Sequence, residues 1–310
     1  MAPSVRLTTV DGAPGVLLDA GRLALTVLPQ LGLLGASLRY DGEEHLSLHG
    51  GLDAYRAGHT TGLPLLHPWA NRLDGFTYRA AGTGVSLEGA PHVHLDANGL
   101  PIHGTMAAQP GWELTGVRTG KRAARLWAAF AFDEHPELLE SFPYPHRIEV
   151  AYTVRDDGLV VDTTIVPTSQ RPVPVSFGWH PYFELPGVAH DDLVVLLPKR
   201  RRLELDGQQL PTGAETKEAA ATVALADTAL DDCYRLGKDR VLGFGGGGKG
   251  LTIELGAGYD HAQVYAPAGA GFVALEPMTA PVNALVDGVA PIVQPGDRFT
   301  ATFTIRVGHS

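Results

Sequence analysis

The stretch VPVSFGWHPYFEL, residues 173–185, decides how the rest of this sequence is interpreted. Apolar side chains occupy the odd-numbered positions up to Trp179, whereas His180 and Tyr182 occupy even-numbered ones. An alternation of period two is typical of a half-buried β-strand. We therefore expect one strand with an apolar face on a core. His180 would lie on its polar face near the strand end, because Pro181 discourages further pairing.

The position of His180 allows two interpretations. An imidazole at the rim of a sheet, beside a hydroxyl and an aromatic ring, is able to transfer a proton to a bound ligand. A surface histidine held by hydrogen bonds would have the same local sequence. This segment alone does not decide between them.

The composition indicates a globular protein rich in turns. The 310 residues include 38 glycines and 23 prolines, and 44% are hydrophobic. We expect a single domain over residues 1–310, because no composition shift marks a linker. The net charge of −10 argues against a nucleic-acid partner. With Cys233 as the only cysteine and no signal-like or membrane-spanning segment, we expect no disulfide, no membrane partner and a cytoplasmic location.

Turn signals and alternating segments together predict the fold class. RIEVAYTVR and LVVDTTIVP, for example, flank the turn at Asp157-Gly158 and are typical of a hairpin. Helical periodicity is scarce and is confined to residues 135–142 and a single turn at 52–56. We therefore predict an all-β protein of many antiparallel strands, a large sandwich or barrel. The Asp-Gly and Asn-Gly pairs begin at Asp11, Asp41, Asp74, Asn98, Asp157, Asp206 and Asp287.

Two segments suggest phosphate binding at first sight. GFGGGGKG, residues 243–250, fits G-x-x-x-x-G-K, but Gly250 follows the lysine and a strand-like LTIEL comes next. A phosphate loop needs a hydroxyl and a helix there, so we predict a hairpin loop. KRRR at residues 199–202, the basic cluster, could hold a phosphate or form a solvated turn before a strand.

His92 and His94 lie two residues apart on a strand-like segment, and Asp96 continues the row. Side chains at this spacing share one face of a strand and could begin a metal site. No third ligand follows at a convincing spacing, so we expect the polar face of a strand and no metal.

Glu276 has a setting similar to that of His180. Phe272, Ala274 and Glu276 share one parity, and Pro277 keeps the backbone at Glu276 extended. If both strand ends open on one cleft, the carboxylate and the imidazole would supply a base and an acid to one site.

Three further segments carry polar candidates. Arg72, after Asn71, has a planar fork that suits vicinal hydroxyl oxygens or a carboxylate, and a structural salt bridge fits equally well. His103 precedes a glycine that would let the backbone approach a ligand. Asp231 or Asp232 could accept hydrogen bonds from sugar hydroxyls or cap a loop.

Five segments, in this order, resemble the aldose 1-epimerase (galactose mutarotase) family and its broader bacterial branch: PWANRLDGF, IHG, SFGWHPYF, the ALDD segment and ALEPMTAPVNAL. The resemblance extends from about residue 5 to the carboxyl terminus. It implies a large antiparallel β-sandwich, the galactose mutarotase-like supersandwich, with few short helices. It also implies an isomerase that interconverts the α and β anomers of a free aldohexose such as glucose or galactose, without a metal or organic cofactor. We expect a monomer or homodimer.

The resemblance assigns the chemistry to two residues. Glu276 would be the base that takes the proton from the anomeric hydroxyl. His180 would be the acid that protonates the ring oxygen, so that the pyranose opens to the aldehyde. Rotation about the C1–C2 bond and reclosure would then give the other anomer.

The resemblance also implies a set of substrate-binding residues. Arg72 and His103 would hold the sugar and its ring oxygen, with Asn71 beside them. Asp231 would bind ring hydroxyls, and Gln263 would make a further polar contact.

Three alternatives remain open. A hexose-6-phosphate 1-epimerase would use the same chemistry and hold the phosphate with the basic cluster or another arginine. A non-catalytic sugar-binding module of the same fold would use Trp69, Trp179 and Tyr182 as stacking platforms. A glycosidase would need Asp231 and Glu276 as its two carboxylates.

Overall fold

β-strands dominate the computed structural model, which describes residues 2–309. Strands hold 51% of the residues and helices 6%, and every pairing between named strands in the large sheets is antiparallel. The predicted all-β class is therefore confirmed. No helix among the described residues is both long and apolar enough to span a bilayer.

The elements follow one another in three groups along the chain. The first group consists of β1 (Ser4–Val10), β2 (Ala13–Asp19), β3 (Leu23–Leu28), β4 (Leu34–Tyr40), β5 (Glu43–Glu44), α1 (Gly51–Arg56), β6 (Leu65–Leu66), β7 (Thr77–Ala80), β8 (Thr83–Ser86), β9 (His94–Leu95) and β10 (Pro101–Ile102). The second consists of β11 (Glu113–Thr119), β12 (Ala124–Ala131), a 3₁₀ turn (Phe132–Glu134), α2 (Pro136–Ser141), β13 (His146–Arg155), β14 (Gly158–Pro167), β15 (Val173–Pro174), β16 (Gly178–Trp179) and β17 (Tyr182–Phe183). The third consists of a 3₁₀ turn (His190–Asp192), β18 (Val194–Leu197), β19 (Arg200–Leu205), β20 (Pro211–Glu218), β21 (Ala221–Ala224), β22 (Leu230–Leu236), β23 (Val241–Gly246), β24 (Lys249–Leu255), β25 (His261–Ala266), β26 (Val273–Met278), β27 (Ile292–Val293) and β28 (Phe299–His309).

Three large sheets build the sandwich. The first has the strand order β1-β2-β3-β4-β5. The second has nine strands in the order β11-β12-β13-β14-β28-β24-β23-β18-β21. The third has eight, in the order β20-β19-β22-β25-β26-β16-β6, with β17 also paired to β26.

The nine-stranded sheet supplies the face on which the other two pack. In β13 the even-numbered residues, such as Ile148, are buried, as the alternation of RIEVAYTVR predicts. The Tyr152 hydroxyl donates a hydrogen bond to the Leu33 carbonyl beside the five-stranded sheet (3.1 Å). The Tyr152 ring also lies 6.1 Å from that of Trp179 in the eight-stranded sheet. Both smaller sheets therefore cover one face of the nine-stranded sheet.

Residues 173–185 do not form the single half-buried strand that their alternation predicts. They form three two-residue strands: β15 pairs with β27, β16 with β6 and β26, and β17 with β26. Pro174 and Pro181 lack the N–H that a continuous ladder needs. Both parities are buried, including Trp179 and His180, because other parts of the chain cover both faces of this segment.

Local predictions elsewhere are confirmed. Helix α1 lies at the predicted turn of residues 52–56, and α2 lies within the predicted segment 135–142. The glycine-rich segment 243–250 contains the two-residue turn Gly247-Gly248 and the adjoining ends of the paired strands β23 and β24. It is therefore the predicted hairpin loop.

The hydrogen bond from Trp179 Nε1 to Thr163 Oγ1 (3.1 Å) joins the eight-stranded to the nine-stranded sheet at a fully buried position. We predict that Thr163→Val lowers the free energy of unfolding by about 1–3 kcal/mol, because the indole N–H loses its acceptor while the side-chain shape is kept. Urea denaturation measures this loss.

Thr164→Val is the matched control. Thr164 is on the opposite face of β14, and its hydroxyl contacts that of Thr300 at an exposed position. The control should change stability by no more than about 0.5 kcal/mol. Equal stability of Thr163→Val and the wild type would contradict the assignment.

Candidate active site

Three neighbouring strands of the eight-stranded sheet bring together three predicted site residues. Cys233 in β22 is opposite Gln263 in β25, which is opposite Glu276 in β26. Residues directly opposite each other share a face of the sheet. Asp231 is two positions from Cys233 and therefore lies on this face too. Glu276 lies inside β26 rather than at its end, so the prediction that this carboxylate stands at a strand end is wrong.

His180 follows β16 and reaches Glu276 from the neighbouring strand. Its Nε2 atom lies 3.3 Å from Glu276 Oε1, and only 4% of His180 and 2% of Glu276 are exposed. β16 approaches β26 closely, since a Cβ added at Gly178 would lie 2.8 Å from the Pro277 carbonyl oxygen. The glycine is required for this approach. The carboxyl and the imidazole thus meet in one buried place.

Arg72 is fixed by two neighbours. Its Nε donates to Asp96 Oδ2 (2.7 Å), and its backbone N–H and Nη1 both donate to Asn71 Oδ1 (2.9 and 3.1 Å). Burial raises the pKa of the Asp96 carboxyl, but hydrogen bonds from the Leu100 N–H, from Arg72 and from the Asn98 N–H outweigh burial and lower it. Asn71 and Asp96 therefore hold the guanidinium in one orientation.

The predicted row of His92, His94 and Asp96 is not a strand face. His92 has a φ of 61° and lies outside the two-residue strand β9. The left-handed conformation turns it away from the alternation that the spacing assumed. Asp96 instead forms an ion pair with Arg72 (2.7 Å). The structural salt bridge that was one interpretation of Arg72 is therefore confirmed, although its partner, 24 positions away in the sequence, was not predicted.

His103 lies beside His180. Its backbone N–H donates to the Asn71 carbonyl (3.0 Å), and its ring meets the His180 ring edge-on, with centroids 5.3 Å apart. Burial, together with nearby cationic groups, holds the pKa of His103 well below its ordinary value. The fold itself requires a glycine after His103, because a Cβ at Gly104 would overlap the His67 carbonyl group. The glycine serves backbone packing.

Burial shifts the titration of the two central groups in opposite directions. It raises the pKa of Glu276 well above the ordinary value; the negative charge of Asp231 adds to this, and Arg72 opposes it. Burial lowers the pKa of His180 to about 3. Burial therefore favours the form of the pair in which the carboxyl keeps its proton and the imidazole carries no second one, so that neither group is charged.

Several polar atoms at the site have no hydrogen-bond partner within the described residues. Buried polar atoms are normally hydrogen-bonded, so a ligand rich in hydroxyl groups would supply partners that the chain does not. Gln263 Nε2 is already used, since it donates to Asp231 Oδ1 (2.6 Å). The unpartnered atoms are Glu276 Oε2, Gln263 Oε1, His180 Nδ1 and His103 Nδ1.

The two adjacent aspartates of β22 face opposite ways. Asp231 is on the face of Glu276, and burial raises its pKa. Asp232 accepts a hydrogen bond from the Tyr234 hydroxyl (3.2 Å) and lies 3.9 Å from Arg202. Of the two, Asp231 is therefore the one at the candidate site.

The basic cluster lies at the start of β19 rather than in a solvated turn, and carboxylates balance much of its charge. Arg200 pairs with Glu218 (2.6 Å), and Arg201 lies 3.4 Å from Glu215. These pairings reduce the positive potential that would attract a phosphate.

The tryptophans that would serve a binding module cannot stack on a ligand. Trp69 and Trp179 are completely buried. Tyr182 instead stacks on His180, and its hydroxyl lies 2.6 Å from Thr60 Oγ1. Sequence reasoning missed Thr60, which no motif marks. It also missed Tyr265, although the alternation of β25 places Tyr265 on the face of Gln263.

Comparison with known proteins bears on the fold and the family. The chain resembles a galactose mutarotase-like protein from Clostridium acetobutylicum (TM-score 0.87, 16% identity, 100% of this chain and 99% of that one). It also resembles galactose 1-epimerase from Lactobacillus acidophilus (0.77, 14%, 100% of both chains) and an aldose epimerase homologue from C. elegans (0.75, 18%, 99% of both). At these identities the likenesses show the fold. Residues 27–306 match the aldose 1-epimerase family model, and the chain therefore belongs to the aldose 1-epimerase family.

Proposed function

We propose that this protein interconverts the α and β anomers of a free aldohexose, such as glucose or galactose, by ring opening and reclosure. The contact between His180 Nε2 and Glu276 Oε1 (3.3 Å) in a buried site carries this proposal. Family membership supports a carbohydrate substrate. The pair supplies the base and the acid that two proton transfers at oxygen require.

The short separation of the pair fits this reaction. The anomeric hydroxyl and the ring oxygen are both bonded to C1, so they are close neighbours on one edge of the sugar. A base for one oxygen and an acid for the other must therefore end near each other. Glu276 in β26 and His180, which follows the neighbouring strand β16, meet this requirement.

The proposed reaction balances within the pair. The Glu276 carboxylate takes the proton of the anomeric hydroxyl while the His180 imidazolium gives its proton to the ring oxygen. The bond between C1 and the ring oxygen breaks, and C1 becomes the aldehyde carbon. After rotation about C1–C2, the transfers run in reverse and both side chains return to their starting forms.

A proton shared by Glu276 and His180 allows the pair to catalyse both ring opening and ring closure. Ionised carboxylate with imidazolium, and neutral carboxyl with neutral imidazole, contain the same number of protons. The first form acts on the closed ring and the second on the open aldehyde. Burial, which opposes charge on either group, favours the second, neutral form of the pair.

The surrounding side chains would bind the sugar. Arg72 presents a guanidinium already oriented by Asn71, and His103 lies against His180. We assign these groups to the sugar and its ring oxygen. Asp231 would accept hydrogen bonds from ring hydroxyls, and Gln263 Oε1 would accept another.

We predict that Glu276→Gln lowers kcat for anomer exchange by about 10²–10⁴-fold, because the amide keeps the shape but cannot take a proton. Polarimetry on freshly dissolved α-glucose and α-galactose measures the rate. Glu149→Gln is the matched control, since Glu149 is part of an exposed ion pair with Arg298. It should leave kcat unchanged.

The sugar panel also decides between related activities. Wild-type rates no faster than buffer for every aldose tested would refute the proposal. Faster exchange of glucose 6-phosphate than of glucose would favour a hexose-6-phosphate 1-epimerase. A Glu276→Gln variant with wild-type kcat would exclude the assigned base.

A second prediction concerns stability against pH. Unfolded glutamate and histidine titrate near about 4.3 and 6.5, so between these values the unfolded chain also holds one proton on the two groups. Above about pH 6.5 the folded pair holds more protons than the unfolded chain, and its contribution to stability falls as pH rises. Below about pH 4.3 the folded pair holds fewer protons than the unfolded chain, and the contribution of the pair to stability falls as pH drops.

The test compares the wild type with a Glu276→Gln, His180→Asn double variant by urea denaturation from pH 3.5 to 9. The difference in free energy of unfolding should favour the wild type most at about pH 5–6. This difference in free energy should decrease both above and below that pH range, by up to about 1.4 kcal/mol per pH unit. A difference that is independent of pH would contradict the shared proton.

A further inference from the structure

Tyr182 connects the proton-transfer pair to the loop that follows α1. Its ring lies parallel to the His180 ring, with centroids 4.3 Å apart and an interplanar angle of 9°. Its hydroxyl lies 3.4 Å from His180 Nε2 and 2.6 Å from Thr60 Oγ1. Tyr182 therefore contacts the same nitrogen that faces Glu276.

The backbone holds Tyr182 and Thr60 in register. The Tyr182 N–H donates to the Gly62 carbonyl, and the Tyr182 carbonyl accepts from the Ser47 N–H, both at 2.8 Å. The Gly62 N–H in turn donates to the Ser47 carbonyl (2.9 Å). The contact between the two hydroxyl groups is thus part of a fixed frame.

Counting hydrogens shows which form of His180 this arrangement favours. His180 Nε2 carries at most one hydrogen, and in the imidazolium two oxygen atoms lie near it, Glu276 Oε1 at 3.3 Å and the Tyr182 hydroxyl at 3.4 Å. The tyrosine oxygen accepts it well only when its own hydrogen points elsewhere. Thr60 Oγ1, 2.6 Å from the Tyr182 oxygen, is placed where it can accept that hydrogen. His180 Nδ1 has no hydrogen-bond partner among the described residues. The contacts that can stabilise the protonated ring are therefore those made at Nε2.

We propose that Tyr182 is a positioning residue, which holds the His180 ring by stacking and stabilises its protonated form through a hydroxyl that Thr60 orients. This inference rests on the proposed function and deepens it, because the protonated form is the one that donates to the ring oxygen. Thr60 acts only through the Tyr182 hydroxyl.

Other titratable groups also face His180, and the variants below leave all of them in place except the tyrosine. Phenylalanine removes the hydroxyl but keeps an aromatic ring for the stack. The groups are Glu276 from β26, Tyr182 from β17, Tyr265 from β25, His103 after β10 and His49 before α1.

The test uses Tyr182→Phe, Thr60→Val and the double variant in the polarimetric assay. Tyr182→Phe should lower kcat about tenfold and change KM by less than about twofold. The alkaline limb of its kcat profile should move to lower pH, because the pair holds its proton less strongly. Thr60→Val should also lower kcat and move the alkaline limb of the profile to lower pH, but by smaller amounts. The double variant should be no slower than Tyr182→Phe, because Thr60 has no separate effect.

Tyr78→Phe is the matched control. It removes a buried hydroxyl that donates to the Ser141 carbonyl (2.7 Å) away from the site. Its kcat profile should equal that of the wild type. Thr60→Val probes the same contact from the other side if Tyr182→Phe does not fold.

A measurement without substrate separates the two proposals. In ¹⁵N spectra of histidine-labelled protein titrated toward low pH, Tyr182→Phe and Thr60→Val should lower the pH at which the His180 ring takes up its second proton, and Tyr78→Phe should not. If the wild type exchanges anomers while Tyr182→Phe matches it in kcat, pH profile and resonance, the inference fails and the proposed function stands. If the wild type accelerates no aldose, the proposed function fails, and the resonances decide whether Tyr182 biases the protonation of His180.

Discussion

The rest of the site depends on a carboxyl group and an imidazole that touch where water does not reach them. Burying an isolated charge costs far more than most side-chain contacts return. A pair that shares one proton avoids most of this cost, because one of its two forms carries no charge. Burying Glu276 or His180 alone would therefore destabilise the fold, whereas burying the two in contact costs much less. The same contact places the base and the acid where both can act on one sugar.

The sandwich holds this pair in place by strand geometry. Glu276 is fixed by pairing on both sides of β26, and His180 is attached to β16, whose Trp179 is anchored in the nine-stranded sheet. Arg72 is oriented by neighbours before any ligand arrives. Groups oriented in advance need no reorganisation when charge moves in the reaction.

The sequence predicts most strongly what local pattern controls. β13 and β14 follow from the alternation on either side of the turn at Asp157-Gly158, because a hairpin is a local structure. The resemblance, carried by motif order, selected Glu276 and His180. Alternation could not show that residues 173–185 are buried on both faces and divided among three short strands. Nor could it find Thr60 against Tyr182, since contacts between distant segments are set by packing and leave no periodic signal.

The most direct test is a crystal structure of the Glu276→Gln variant with an aldose bound. The account predicts the anomeric oxygen within hydrogen-bond distance of the side chain at position 276 and the ring oxygen within hydrogen-bond distance of His180 Nε2. Ring hydroxyls should contact Asp231. A sugar bound away from the pair, or one whose C1 edge faces neither side chain, would contradict it.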